Sequence, residues 1–194
     1  FLYASDNPIQ KISPLISHLT TLRHLELLNT SLCYLPCELS RTPLETLEFS
    51  GTAEHIFPPE SVLQKGLKSI MIMLKGLYRC QKTGNLNWSN TGMATIPHLL
   101  EENLLTVKSL TLDLNPIADL EGLQWYSNLT SISFQKTKVT HFPCFLKDLP
   151  LVEIKCDNHK MIDPPQSVMN LSADVARSYL ISTSDCVTSS KLDL

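Results

Sequence analysis

The chain lacks most of what would mark an enzyme, a membrane protein or a nucleic-acid binder. It contains no Gly-x-x-x-x-Gly-Lys-Ser/Thr and no Gly-x-Gly-x-x-Gly stretch, so no loop is built to cradle a nucleotide phosphate. Its formal net charge is only −3 and no basic tract stands out, which argues against nucleic acid or an acidic membrane surface as the main partner. The suspicious apolar stretch Ile70 to Leu77 is broken by Lys75 and falls far short of the roughly 18 residues a membrane span requires. No membrane insertion is expected. There is neither a secretory leader nor an initiating Met, and the chain opens within a strand phrase, as an internal piece of a longer protein would. No Ser/His/Asp or Cys/His set stands out from the chance triples that a sequence of this length offers. Neither catalysis nor a cofactor is expected.

What is present is a rhythm. Val107-x-x-Leu110-x-Leu112-x-x-Asn115-x-Ile117-x-x-Leu120 returns after 22 residues as Leu129-x-x-Ile132-x-Phe134-x-x-Thr137-x-Val139-x-x-Phe142, and Leu151-x-x-Ile154-x-Cys156 starts it again. Apolar residues at the first, fourth, sixth, eleventh and fourteenth positions of such a period are the leucine-rich repeat signature. Residues two apart point to one face of a short strand, and the later ones turn inward from the returning segment. One unit cannot bury its apolar face alone, so units must stack. The expected fold is an α/β solenoid, a curved parallel sheet with a helical or irregular outer side. With 43% apolar residues, a continuous elongated core is within reach.

The same phrase runs earlier in the chain. Leu2, Ala4, Asn7, Ile9 and Ile12 enter it late, with Leu15 and Leu19 continuing inward; Leu22, Leu25, Leu27, Thr30, Leu32 and Leu35 complete it; Leu44, Leu47, Phe49, Thr52 and Phe57 repeat it. After Phe57 the rhythm breaks. Pro58-Pro59-Glu60-Ser61 reads as a helix start, and Val62, Leu63, Leu67, Ile70, Met71, Leu74 and Leu77 then recur at helical spacing. This helix is expected over 58–79, packed on the Leu44 repeat as a lid over its apolar end, with the Thr83 repeat continuing close beside it. The phrase resumes with Leu86, Trp88, Thr91, Met93 and Ile96, with Leu99, Leu100 and Leu104 on an outer helix, and Pro164-Pro165-Gln166-Ser167-Val168 echoes Pro58-Pro59-Glu60-Ser61-Val62 after 106 residues. The organisation expected is therefore two short repeat blocks, 1–80 and 81–181, each closed by a Pro-Pro-started helix (58–79 and 164–181), then a Ser/Thr-rich tail at 182–194.

Six cysteines suggest disulfides, but their repeat phase speaks against them. Cys156 holds a sixth position and is expected to be a buried core thiol; Cys37 and Cys144 share a phase on the returning side. With no clustered cysteines of the kind that cap extracellular repeats, a reducing cytoplasmic setting is expected. Sequons at Asn29, Asn87, Asn128 and Asn170 are the signal on the other side. His141-x-x-Cys144 and Cys156-x-x-His159 can be drawn as a zinc motif, but the phase puts these residues on different sides of the repeat, so no metal is expected.

The phrase Leu-x-x-Leu-x-Leu-x-x-Asn with a terminal apolar-Pro pair resembles the intracellular Ras-group class of leucine-rich repeat proteins, similar to the repeat arms of Roco GTPases and scribble-type scaffolds. That class often closes with Pro-Pro-x-x-Val-x-x-x-Gly and an apolar helix. Pro58, Pro59, Val62 and Gly66 match this motif; Pro164, Pro165 and Val168 match it less well, with Ser172 in place of the glycine. The resemblance implies a binding surface without chemistry of its own. A non-catalytic scaffold for another protein is the leading expectation. The alternatives are a regulatory arm of a larger GTPase or kinase, and a structural component of a large assembly.

The third, fifth, seventh and eighth positions of each strand phrase are expected to face out of the concave sheet. From these rows Phe1, Tyr3, His24, Glu26, Leu28, Glu48, Asn87, Thr111, Ser133 and Lys155 are the candidate partner-binding residues. Phe1, Tyr3, His24, Glu26 and Leu28 stand out, because aromatic anchors in a polar surround are the usual makeup of a binding centre.

Overall fold

The computed structural model describes residues 1–50, 57–157, 160–169, 174–176 and 178–182. Short strands form at the third to sixth positions of the repeats: β1 (Leu2–Tyr3), β2 (His24–Leu27), β3 (Thr46–Phe49), β4 (Asn85–Asn87), β5 (Ser109–Thr111), β6 (Ser131–Ser133) and β7 (Glu153–Lys155). All pair in parallel, in two sheets ordered β1-β2-β3 and β4-β5-β6-β7. The ladder keeps the repeat register, with Leu25 opposite Leu47 and Leu110 opposite Ile132. Behind the strands the chain returns through single 3-10 turns at Pro14–His18, Cys37–Arg41, Leu123–Trp125 and Cys144–Asp148, and through the short helix Glu101–Leu104.

The inward positions make one core. Val107, Leu110, Leu112, Ile117 and Leu120 are each 1% exposed or less, and each such side chain contributes about 1.5 to 3 kcal/mol by leaving water. Burial fails at the ends of the sheets. Leu15 and Leu19, expected inward, are 65% and 44% exposed in the turn behind β1. Leu44, Leu47, Phe49 and Cys156 are only half-buried. They belong to the last repeat of a sheet, so a neighbouring strand covers them from one side only. Leu100 also lies outside, because it precedes the first turn of its helix instead of belonging to the inner face.

Where each strand turns away, backbone donors and acceptors must find partners inside the stack. Asn115 solves this for two repeats. Its Oδ1 accepts from the N–H groups of Thr91, Gly92 and Met93 at 3.0, 3.0 and 3.2 Å. Its Nδ2 donates to the Trp88 and Leu112 carbonyls, both at 2.8 Å. The ninth-position threonines do less: the Thr30, Thr91 and Thr137 hydroxyls donate to the carbonyls of Leu27, Trp88 and Phe134 in their own strands. The difference is one of reach. Thr52 lies outside the described residues.

The single helix expected over 58–79 is two helices, α1 (Glu60–Leu63) and α2 (Leu67–Thr83). Gly66 breaks it with φ +83°, a left-handed conformation that suits a residue without Cβ. Nothing then stops α2 until Gly84, whose left-handed N–H bonds the Cys80 carbonyl at 2.8 Å. The buried face of α2 is Ile70, Met73, Leu74, Leu77 and Cys80. Its main contacts are with the turn Cys37–Arg41 of the Leu22 repeat, where the sequence placed it on the Leu44 repeat, and with β4 of the Thr83 repeat, which was expected close beside it. At β4 the approach is intimate. The Trp88 indole N–H donates to the Met73 carbonyl at 3.0 Å, and a Cβ on Gly76 would stand 2.6 Å from the Asn87 carbonyl oxygen.

The later echo starts alike. An isolated parallel bridge precedes each Pro-Pro pair, Tyr34 with Phe57 and His141 with Asp163. Gln166–Met169 is helical, and helical backbone returns at 174–176 and 178–182. Ala176 and Leu180 are buried, 106 residues after the buried Ile70 and Leu74. Asn170, Ser172 and residues 183–194 lie outside the described residues.

Two substitutions check this architecture by urea denaturation. Asn115→Ala strips three N–H groups, two of them buried, of their acceptor and is expected to cost about 3 kcal/mol, against about 1 kcal/mol for Thr137→Val. In a free helix Gly→Ala stabilises by about 1 kcal/mol. Here Gly76→Ala is expected to destabilise by about 1 to 3 kcal/mol, because the added methyl meets β4 backbone; a gain in stability would mean that α2 does not lie on β4.

Candidate functional site

The outward face of β1–β3 collects the aromatic candidates. The Phe1 ring stacks on His24 with centroids 4.2 Å apart and planes 7° from parallel, and Tyr3 follows at 6.3 Å from Phe1. Parallel pairing, with side chains alternating between faces, puts third- and fifth-position side chains on this side. Phe1 and Tyr3 remain 76% and 70% exposed. His24 is held from below, its Nδ1 2.6 Å from the Thr46 hydroxyl and its Nε2 4.0 Å from Glu45. Tyr3, His24, Glu26, Thr46 and Glu48 line a pocket of about 230 Å³. Glu26 is partly committed, since the Ser5 hydroxyl donates to its Oε1 at 2.7 Å while accepting from the Leu28 N–H at 2.9 Å. Glu48 is exposed, and Leu28 is half-buried.

The other candidates lie on the second sheet and do not join this cluster. Asn87 is exposed, and its Oδ1 accepts from the Ser89 N–H at 2.9 Å. Thr111 is half-buried. Ser133, expected to face outward, is 9% exposed and donates to Asp113 at 2.7 Å. Its small side chain is covered by the neighbouring carboxylate. Lys155 is exposed but paired with Glu153 at 2.9 Å; the ion pair raises the lysine pKa and lowers that of the carboxyl.

The eighth position carries a feature that the outward-facing reading missed. Asp6, Asn29, Asn90, Leu114 and Lys136 all adopt φ between 53° and 62°. This residue is the left-handed hinge by which the chain leaves the strand. The signal was in the sequence, since Asp or Asn stands at three of these five places and tolerates that conformation best. The sequon asparagines take hydrogen bonds of their own: Asn29 donates to Asp6 at 3.0 Å, and Asn128 to the Leu105 carbonyl at 2.9 Å.

None of the five described cysteines is in a disulfide. Burial pushes the Cys37 thiol up to about 12 and Cys156 up to about 11, with Glu38 and Asp157 adding to the effect. In the drawn zinc motif, His141 sits 2.8 Å from the Thr140 hydroxyl, Cys144 is exposed, and His159 lies outside the described residues. Among the described residues no three His, Cys, Asp or Glu side chains stand together as a metal site, and no helix is long and apolar enough to cross a membrane.

No family model and no curated protein matches the chain. Among solved structures it is similar to the leucine-rich repeat protein LIC12759 of Leptospira interrogans, at 21% identity and a TM-score of 0.33, over 77% of this chain and 40% of that one. It is also similar to the functional domain of InlJ from Listeria monocytogenes, which includes a cysteine ladder, at 14% identity and a TM-score of 0.34, over 82% of this chain and 30% of that one. The chain thus spans less than half the length of either. Parallel strands one repeat apart, with a buried asparagine at a ninth position, fit an α/β leucine-rich repeat fold.

Thiol chemistry offers a direct check on burial. Brief iodoacetamide labelling of the native protein at pH 8, mapped by mass spectrometry, is expected to modify Cys33 and Cys144 well before Cys37 and Cys80. Early labelling of Cys37 would contradict its place in the core.

Proposed function

We propose that the chain is a non-catalytic protein-interaction module, a leucine-rich repeat solenoid that receives a segment of another protein on the concave face of β1–β3. The observation that carries this reading is the exposed Phe1 and Tyr3, with Phe1 stacked on the half-buried His24, beside a pocket rimmed by carboxylates. Flat aromatic groups left open to water are costly to expose and gain most when a partner covers them. Glu26 and Glu48 line the pocket, and no lysine or arginine does. A partner segment that sets a cationic side chain over the rings and between these carboxylates suits the site best. In this reading α1 and α2 close the first block, and the echo after Pro164 closes the second. The alternatives of a GTPase or kinase arm, or of a part in a large assembly, draw no specific support from the geometry.

The test begins with the intact protein, from which co-purifying partners are identified. Against such a partner, Tyr3→Ala and Glu48→Lys are expected to weaken the dissociation constant at least tenfold in calorimetry. Melting temperatures should stay within about 2 °C of wild type, since both side chains are exposed. Unchanged affinity in both variants would move the interface off this face.

A further inference from the structure

A larger cavity than that of the aromatic face lies elsewhere, and its chemistry has the opposite sign. At the exit ends of β4, β5 and β6 the left-handed turns face the start of α2 across about 620 Å³. Four lysines line it: Lys65 and Lys68 from the α1–α2 junction, Lys136 and Lys138 from the turn after β6. No aspartate or glutamate lines it, and none of the four makes an ion pair among the described residues. Four ammonium groups around one space repel one another, in a chain whose net charge is −3.

Packing and a hydrogen bond hold the turns beneath them. A Cβ on Gly92 would stand 2.8 Å from the Lys65 stem, so that stem lies against the turn backbone. The Lys136 N–H donates to Asp157 Oδ2 at 2.6 Å, which fixes its turn. Leu114 and Lys136 hold φ of 62° and 56°, a conformation unfavourable for both, where other repeats use Asp or Asn; both line this cavity. The cations are all lysines, compact point charges that bind phosphate well, and a phosphate group, with its charge of about −1.5 to −2 near pH 7, offsets their mutual repulsion better than a carboxylate does.

We propose that this cavity binds an anion carrying two or more phosphate groups, held by Lys65, Lys68, Lys136 and Lys138. The site is separate from the aromatic face and does not depend on its reading. Calorimetry of the full chain with pyrophosphate and with inositol hexakisphosphate is expected to show one ligand per chain, with affinity falling as salt rises. The double variant Lys136→Glu, Lys138→Glu should weaken binding at least tenfold with an unchanged circular dichroism melt, while Lys155→Glu on the opposite sign-balanced pair should change it less than twofold. Sedimentation with phosphatidylcholine vesicles, with and without 5% phosphoinositide, separates the sources. Lysine-dependent binding to the phosphoinositide vesicles assigns a lipid headgroup, and binding of the soluble anions alone assigns a free ligand. Absence of binding in both arms, equal loss in Lys155→Glu, or equal affinity for a poly-glutamate peptide would overturn the proposal.

Discussion

Everything in this fold depends on keeping buried backbone polar groups paired where the strands end. A strand of three or four residues makes few ladder bonds, and then the chain leaves the sheet while still inside the stack. The groups exposed there would each cost about 1 to 3 kcal/mol if left bare. Asn115 reaches three N–H groups of the repeat before it and two carbonyls, so it ties β4 to β5 as well as finishing its own turn. A second, more exposed line of acceptors works alongside. Ser5 and Ser50 serve N–H groups of the Leu22 repeat, while Asp113 and Asp157 serve those of the Leu129 repeat. In both sheets an inner repeat without its own acceptor is held from its two sides.

The helix α2 divides the molecule into two regions of opposite surface chemistry. By running beside β4 it separates the strands into two sheets, one ending in an aromatic, acidic face and the other beginning at a basic cavity. The same helix contributes Lys68 to that cavity from its first turn, at the end where the helix dipole is already positive. Insertion of one long helix into a series of short repeats thus creates a recess that repeats of even length would not.

Much of the fold could be read from spacing. The period placed Val107, Leu110 and Ile117 in the core, because a 22-residue register depends only on the local pattern and on stacking. It erred at Leu15, Leu19 and Phe49, since burial there depends on how many neighbours a repeat has, and spacing does not carry that count. Gly66 was visible as a motif residue but was set inside a helix that it divides. The aromatic cluster was legible because Phe1, Tyr3 and His24 share outward positions in adjacent repeats. The lysine cavity was not. Lys65 and Lys136 stand 71 positions apart and on different kinds of element, so only the folded chain shows that they face one space.

The burial of Trp88 gives the junction between the sheets an optical voice. Its ring is fully enclosed, 6.0 Å from Phe57, and its indole N–H is engaged by α2. Trp125, the other tryptophan of the chain, sits 43% exposed near His98 on the far turns. One fluorophore therefore emits from a dry site and the other from a wet one. Loosening α2 from β4 admits water to the first without disturbing the second, so the blue part of the intrinsic emission reports the coupling of the two sheets separately from the melting of the outer turns.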